Sequence, residues 1–284
     1  MGRWSLGEWL AGLSLTGLIL AMLASMLLAS LAGHAVRRIE YRRAQLRSEE
    51  VEHSQESYLV GSMLGLLALL LAFTFSMALD RFEERRHLVV QEANAIGTAY
   101  LRAQLLDEPH RSRLSNLLVN YTDNRIALAT ASPDRVQSYL RHNDQLLTDI
   151  WAAVAGARES ALLHGMTTAL LMTYNEVIDL DTERKVARQV RVPAPVFLLL
   201  YGFLVLTAAV LGYVLEERRG RIHAAVLFVL LSLYVSIIAD LNRPASGSIR
   251  ESQEPMLMLR ASLKAQPPAV FDRFRTAAPV EAGR

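Results

Sequence analysis

Apolar residues in this chain fall in long blocks rather than at the short periods of a soluble core. Four runs are uncharged or nearly so: Leu10–Gly33, Tyr58–Leu79, Pro193–Leu215 and Ile222–Ala239. About 20 apolar residues at 1.5 Å each cross a hydrocarbon layer of roughly 30 Å. The pattern predicts an all-α integral membrane protein with four transmembrane helices. The first run is too long for the apolar segment of a signal peptide, which spans about 7–15 residues. Trp4 and Trp9 sit where an interfacial aromatic belt would place them.

Between the second and third runs the period changes to that of amphipathic helices. Phe82, Val89, Ala93, Ile96 and Tyr100 keep 3–4 spacing, and no proline or glycine separates them from the apolar run. The second span is therefore expected to run on as one helix to about Leu106. Asp107-Glu108-Pro109 ends it, and Pro109 suits the first turn of a helix carrying Leu114, Leu117, Leu118 and Tyr121. Ser132-Pro133 marks another start, with Ser132 as cap. Val136, Leu140, Leu147, Ile150 and Val154 line the helix that follows. A further stripe joins Leu163, Met166, Leu170, Tyr174 and Val177.

The expected organisation has five parts. Residues 1–57 hold the first transmembrane helix and a charged connection, and 58–106 the second helix, extended beyond the membrane. Residues 107–192 form a helical extramembrane bundle continuous with membrane helices 2 and 3. The hairpin of helices 3 and 4 occupies 193–241, and 242–284 is a C-terminal segment whose end, from Ala265, lacks periodicity and reads as disordered.

The second span carries two further patterns. Gly61, Gly65, Ala68, Ala72 and Ser76 form a small-residue stripe of the kind that lets helices approach closely in lipid. Leu66, Leu69, Phe73 and Met77 lie on an adjacent face as candidate pore-lining residues. Asp80, Arg81, Glu83, Glu84, Arg85 and Arg86 then mark the membrane boundary, where Arg81–Glu84 and Glu83–Arg86 can pair at i,i+3.

Composition removes several classes. The chain has 284 residues, no cysteine and a net charge of +2, which excludes disulfides and thiolate metal sites. Basic residues alternate with acidic ones and form no aromatic-basic stripe, so no nucleic-acid partner is expected. The seven histidines are scattered, and no pair has metal-ligand spacing on a helix face. No G-x-S-x-G, H-E-x-x-H or phosphate-binding glycine loop occurs, so the chain reads as a non-enzyme without cofactor or metal. Asn175-Glu176 with Asp179 and Asp181 reads as a solvated helix end that Arg184 and Lys185 can partner. No span has an ionisable residue near its centre, which argues against a proton-coupled pump but not against a channel. Charge asymmetry assigns no side: the connections 34–57 and 216–221 carry eight basic residues, against about ten near the membrane on the other side.

The stretch MLGLLALLLAFTFSMALDRFEERRHLVV (Met63–Val90) resembles the second transmembrane helix of bacterial bestrophins. There an apolar pore-lining segment runs into R-F-x-x-x-R; the arginines here, Arg81 and Arg85, are one residue closer. DLNRPASG (Asp240–Gly247) is similar to the acidic-x-P-F-G segment after the last bestrophin helix. ANAIGTAYLRAQLL, NEVIDLDTER and ADLNRPASGSIRESQEPM resemble the bacterial bestrophin-like proteins filed as a domain of unknown function, over roughly residues 55–263. The resemblance implies a pentameric ion channel, with lipid and inorganic ions as partners. It puts Leu69 and Phe73 in a narrow apolar neck, with Gly65 departing from the bulky pattern. Asn242 and Arg243 stand where acids would serve a calcium clasp, so none is expected. A bacterial inner-membrane location follows, with residues 80–192 and both termini cytoplasmic. The alternative is a non-conducting membrane scaffold whose helical domain binds a partner.

Overall fold

The computed structural model describes residues 14–47, 56–215, 217–244 and 247–274, all helix, turn or loop with no strand among them. Trp4 and Trp9 lie outside the described residues. The helices are α1 (Leu15–Arg47), α2 (Glu56–Ala103), α3 (His110–Ala129), α4 (Pro133–Gly156), α5 (Arg158–Leu163), α6 (Thr167–Gln189), α7 (Ala194–Val214), α8 (Arg218–Leu241) and α9 (Glu254–Ala265), followed by a 3-10 turn at Pro268–Phe274. The chain divides into two units, residues 1–82 with 190–250 and residues 83–189 with 251–284. The expected long second helix is α2, unbroken over 48 residues. The third span is reached through a short non-helical link, Val190–Pro193, between α6 and α7.

The first unit contains α1, the N-terminal part of α2, α7 and α8. Its apolar segments reach a mean hydropathy of 2.2–2.4, yet only 17% of the best window in α1 and in α2 is buried. Leu20, Leu28, Leu199 and Leu230 are among the large side chains pointing outward. That much apolar surface suits lipid and not water. The inward side is a core that includes Met26, Leu67, Leu200, Leu204, Phe228 and Ile238.

Helix α1 crosses α7 at two glycines. A Cβ on Gly33 would collide with the carbonyl of Ala209, and one on Gly212 with the backbone of Ser30. Lipid offers no hydrophobic drive for helix pairing, so this backbone-to-backbone approach is what dispersion and packing require. The end of α7 is closed by α1. The Arg37 guanidinium donates to the Tyr213 carbonyl at 2.8 Å and lies 5.4 Å from the Tyr213 ring centre, while the Tyr213 hydroxyl donates to Glu40 at 2.6 Å. A cation among the last carbonyls satisfies orphan acceptors and opposes the helix dipole. At the end of α8, Asp240 accepts the backbone N–H of Ser248 at 2.7 Å and of Ile249 at 3.0 Å. Asn242 accepts the Val192 N–H at 2.8 Å, tying the end of α8 to the start of α7.

The second unit packs α2 from Glu83 onward with α3, α4, α5, α6 and α9. Ile96, Leu114, Leu118, Tyr121, Ile150, Leu170 and Tyr174 are completely or almost completely buried in its core. The expected stripes on α3 and α4 face inward, with Leu146 added and Leu117, Val136, Leu140 and Leu147 only half-buried. Three local expectations change. Leu163 is not in line with Met166: it is 81% exposed, because α5 ends there. Gly165 takes φ +63°, Met166 N–H reaches the Ala161 carbonyl at 2.9 Å and Gly165 N–H the Leu162 carbonyl at 3.1 Å. That pair of bonds is a Schellman stop, which needs the left-handed residue that glycine supplies. Ser132 stands at the start of α4 with Pro133 in the first turn, but its side chain makes no capping bond. The third change concerns the tail. Regular structure continues past Ala265 into the 3-10 turn, where the Tyr100 hydroxyl donates to the Gln266 carbonyl at 2.8 Å and Arg111 pairs with Asp272 at 2.5 Å. Partners more than a hundred residues upstream order this segment; residues 275–284 lie outside the described ones.

The glycine crossing gives a matched test. Gly33→Ala drives a methyl into a backbone carbonyl, whereas Gly202→Ala on α7 meets nothing within 4 Å in the chain. Gly33→Ala is expected to cost about 1–3 kcal/mol by overpacking, and Gly202→Ala to be neutral or to gain up to about 1 kcal/mol in helix propensity. Thermal unfolding in detergent reads both.

Candidate functional site

Helix α2 presents three sectors along its membrane segment. Leu67, Leu71, Thr74 and Ala78 are buried within the unit. The Thr74 hydroxyl is spent on the Leu70 carbonyl at 2.7 Å, so this polar side chain is satisfied inside its own helix. Leu66, Leu69, Phe73 and Met77 are 46%, 52%, 61% and 38% exposed. Gly61, Gly65, Ala68, Ala72 and Ser76 are exposed as well, and a Cβ on either glycine would touch nothing within 4 Å. At about 100° per residue the three sectors are centred roughly 120° apart. Among the described residues the two glycines of this stripe meet nothing, whereas Gly33 and Gly212 make a close crossing.

Beyond Leu79 the same helix becomes charged. Asp80, Arg81, Glu83, Glu84 and Arg86 are exposed, and Arg86 pairs with Glu83 at 3.3 Å in the expected i,i+3 register. Arg85 departs from the group. It is 4% exposed and bonded through Nε to Glu251 at 2.5 Å. It stands on the face continued by Leu88, Val89 and Glu92, so the helix turns it inward, and a segment far along the chain supplies its counter-ion.

The inward charges go further than the sequence suggests. Glu92 is fully buried and gathers three donors. The Tyr121 hydroxyl reaches it at 2.7 Å, Arg125 at 2.9 Å, and Arg184 completes the set. Arg125 also donates to Asp181 at 3.1 Å, and Asp181 accepts from Asn143 at 2.9 Å and pairs with Lys185 at 2.7 Å. Lys185 continues to Asp144 at 2.6 Å. Asp181 is therefore no solvated helix end: it is 2% exposed, held by partners on α3 and α4 as well as by Lys185. Glu176 and Asp179 remain exposed as expected.

Burial alone would raise the Glu92 pKa, but the Arg125 and Arg184 charges and the Tyr121 hydrogen bond outweigh it and hold the carboxyl below its usual range. Burial, then the Glu92 charge, pushes the Tyr121 phenol well above its ordinary value. Glu92 is thus a carboxylate and Tyr121 a neutral donor at any physiological pH. Such a cluster locks helices in register and leaves no group poised for proton transfer. Among the described residues no group of three or more metal-ligating side chains is placed to hold an ion.

Sequence reasoning passed over Glu92, Tyr121, Arg125, Asn143 and Arg184 as site residues. The available signal was periodicity: Glu92 is one turn after Leu88, Arg125 one turn after Tyr121, and Asp181 and Arg184 prolong the stripe of Val177. A charge sitting on a core stripe announces a buried partner.

Apolar helices with outward side chains, together with a helical unit closed around buried ion pairs, define a multi-pass α-helical membrane protein. The family model of the Bestrophin-like domain matches residues 23–256. The chain belongs to that bestrophin-like family. Among solved structures, it is similar to a mutant of a bacterial bestrophin homolog from Klebsiella pneumoniae, with a TM-score of 0.61 and 18% identity over 89% of this chain and 98% of that one. The crystal structure of the Klebsiella pneumoniae homolog obtained by zinc phasing gives a TM-score of 0.56 at 18% identity, over 87% and 96%. These likenesses establish the fold. No curated protein matches the sequence.

Removing Glu92 would strand the buried Arg184 and leave Arg125 with Asp181 alone. Glu92→Gln is expected to lower stability by about 3–5 kcal/mol, measured by thermal unfolding of the purified protein in detergent. Because the Glu92 pKa is lowered on folding, its contribution is complete above the unfolded value of about 4.3 and is lost as pH falls through the folded value. The gap between wild type and variant should therefore close under acid.

Proposed function

We propose that the protein is an ion channel of a bacterial inner membrane, assembled as a homo-oligomer around the second transmembrane helix. The carrying observation is the outward face of α2, where Leu66, Leu69, Phe73 and Met77 are bulky and apolar while the opposite sector is already packed in its own unit. The three-sector arrangement supports a ring. One sector binds the helix to its own chain, the small-residue sector of Gly61, Gly65, Ala68 and Ala72 admits a neighbour, and the bulky sector faces an axis. An apolar constriction of this kind gates by wetting and drying, with no titrating group. Membership of the bestrophin-like family supports the same reading, and by resemblance the ring is a pentamer with residues 80–192 and both termini in the cytoplasm.

The charges beyond Leu79 do not favour either sign of ion, since Arg86 is matched by Glu83. The second reading, a non-conducting scaffold, rests on the open small-residue stripe alone, which permits helix pairing without an axial path.

Phe73→Ala shortens the constriction and should raise ion flux severalfold in proteoliposomes. A conducting oligomer whose flux is indifferent to Phe73 would remove this residue from the pore. The mass of the detergent-solubilised complex separates the two readings, because a monomer or dimer cannot enclose an axial path.

A further inference from the structure

The second unit contains an open cleft with an empty volume of about 280 Å3, solvent included, lined by Arg125, Leu128, Leu140, Arg184, Lys185 and Arg188. Four of the six lining side chains are cationic, and they come from α3 and α6. Three of them have protein counter-ions: Arg125 with Glu92 and Asp181, Arg184 with Glu92, and Lys185 with Asp181 and Asp144. Four cations thus share three carboxylates, and the surplus charge is Arg188. Among the described residues Arg188 has neither hydrogen bond nor ion pair. It also borders a second small cleft with Arg85, Arg184 and Glu251, but Glu251 is already bonded to Arg85.

We propose that this cleft is a binding site for a phosphate-class oxyanion, with the Arg188 guanidinium as its principal donor. Helix α6 places Arg184 and Arg188 one turn apart, so two guanidiniums approach the cleft from one helix face. A guanidinium matches a tetrahedral oxyanion with paired N–H donors, more specifically than a point charge does. The inner ends of Arg125, Arg184 and Lys185 are fixed by Glu92, Asp181 and Asp144, so these side chains are held in place before any ligand arrives. Leu128 and Leu140 make part of the wall apolar, which strengthens charge-assisted bonds by keeping water away.

Burial, followed by the like charges of Arg184 and Arg125, lowers the Arg188 pKa from its ordinary value. The guanidinium remains cationic, and Glu251 and Glu92 offset only part of that burial and repulsion. The site does not depend on the channel reading, and it stands equally if the protein proves non-conducting.

The test uses the full chain, purified in detergent in phosphate-free buffer. Melting temperature is followed against inorganic phosphate and, in parallel, against chloride at matched ionic strength. Wild type should show a saturable rise with phosphate of about 3–8 °C, by linkage, and no comparable rise with chloride. Arg188→Gln should fold as stably as wild type in chloride and lose most of the phosphate rise, with binding at least about tenfold weaker. Arg86→Gln, an exposed pair on α2, should keep the rise. A parallel titration with short-chain phosphatidic acid separates sources. Saturation by phosphate assigns a free anion, while saturation by the lipid alone assigns a headgroup of the same chemistry. Absence of a saturable response to either ligand, or an equal response in Arg188→Gln, overturns the site. So does a loss of stability in Arg188→Gln in chloride, which would show that a protein carboxylate already answers Arg188.

Discussion

Helix α2 must fill an inward face in each unit, from Leu67 to Ala103, and the rest of the structure depends on how that is done. In the first unit the face holds Leu67, Leu71, Thr74 and Ala78, the sizes and polarity that a helix in lipid can bury without unpaired groups. In the second unit the same face holds Arg85, Leu88, Glu92, Ala95 and Ala99. The two compositions follow from the two solvents. Within lipid, a charge on the packed face would need a partner at the same depth. Outside it, water is available during folding, and a charge can be buried once its partners arrive from α3 and α6.

The choice of ion pairs over apolar contacts in the second unit is not one of stability. Desolvating Glu92, Arg125 and Arg184 costs several kcal/mol per ion, and their mutual attraction about restores it. What the cluster supplies is uniqueness. Leucines on α2, α3 and α6 could slide by a turn and still pack, whereas Glu92 accepts Tyr121, Arg125 and Arg184 together only in one register.

Much of the fold was legible because lipid imposes a coarse rule. Runs of about 20 apolar residues placed α1, α7, α8 and the first half of α2, and the want of glycine or proline between Gly65 and Gly97 made α2 a single helix. The misreadings share a physical cause. Leu163 was aligned with Met166 by counting through Gly165, where a left-handed residue resets the helix. Asp181 was read from neighbours three or four positions away and Arg85 as a membrane-boundary charge, but Arg125, Asn143 and Glu251 are the groups that bury them. Local spacing reports the helix face a residue shares. It says nothing of what packs against that face, and a charge in a stripe is ambiguous until the opposing helix is known.

The small residues make the same point from the other side. Gly61 with Gly65 and Gly33 with Gly212 are equally small, and the first pair, at four-residue spacing on one helix, has the more conspicuous pattern. Among the described residues only the second pair meets another backbone at close range. A small residue permits close approach without specifying the partner, so a stripe left open by the described residues is available to a further helix. On α2 that open stripe adjoins the bulky face of Leu66, Leu69, Phe73 and Met77. A neighbour packed on the stripe would therefore bring a second bulky face alongside the first. Repeated around an axis, as the proposed oligomer requires, that geometry would enclose apolar side chains on all sides.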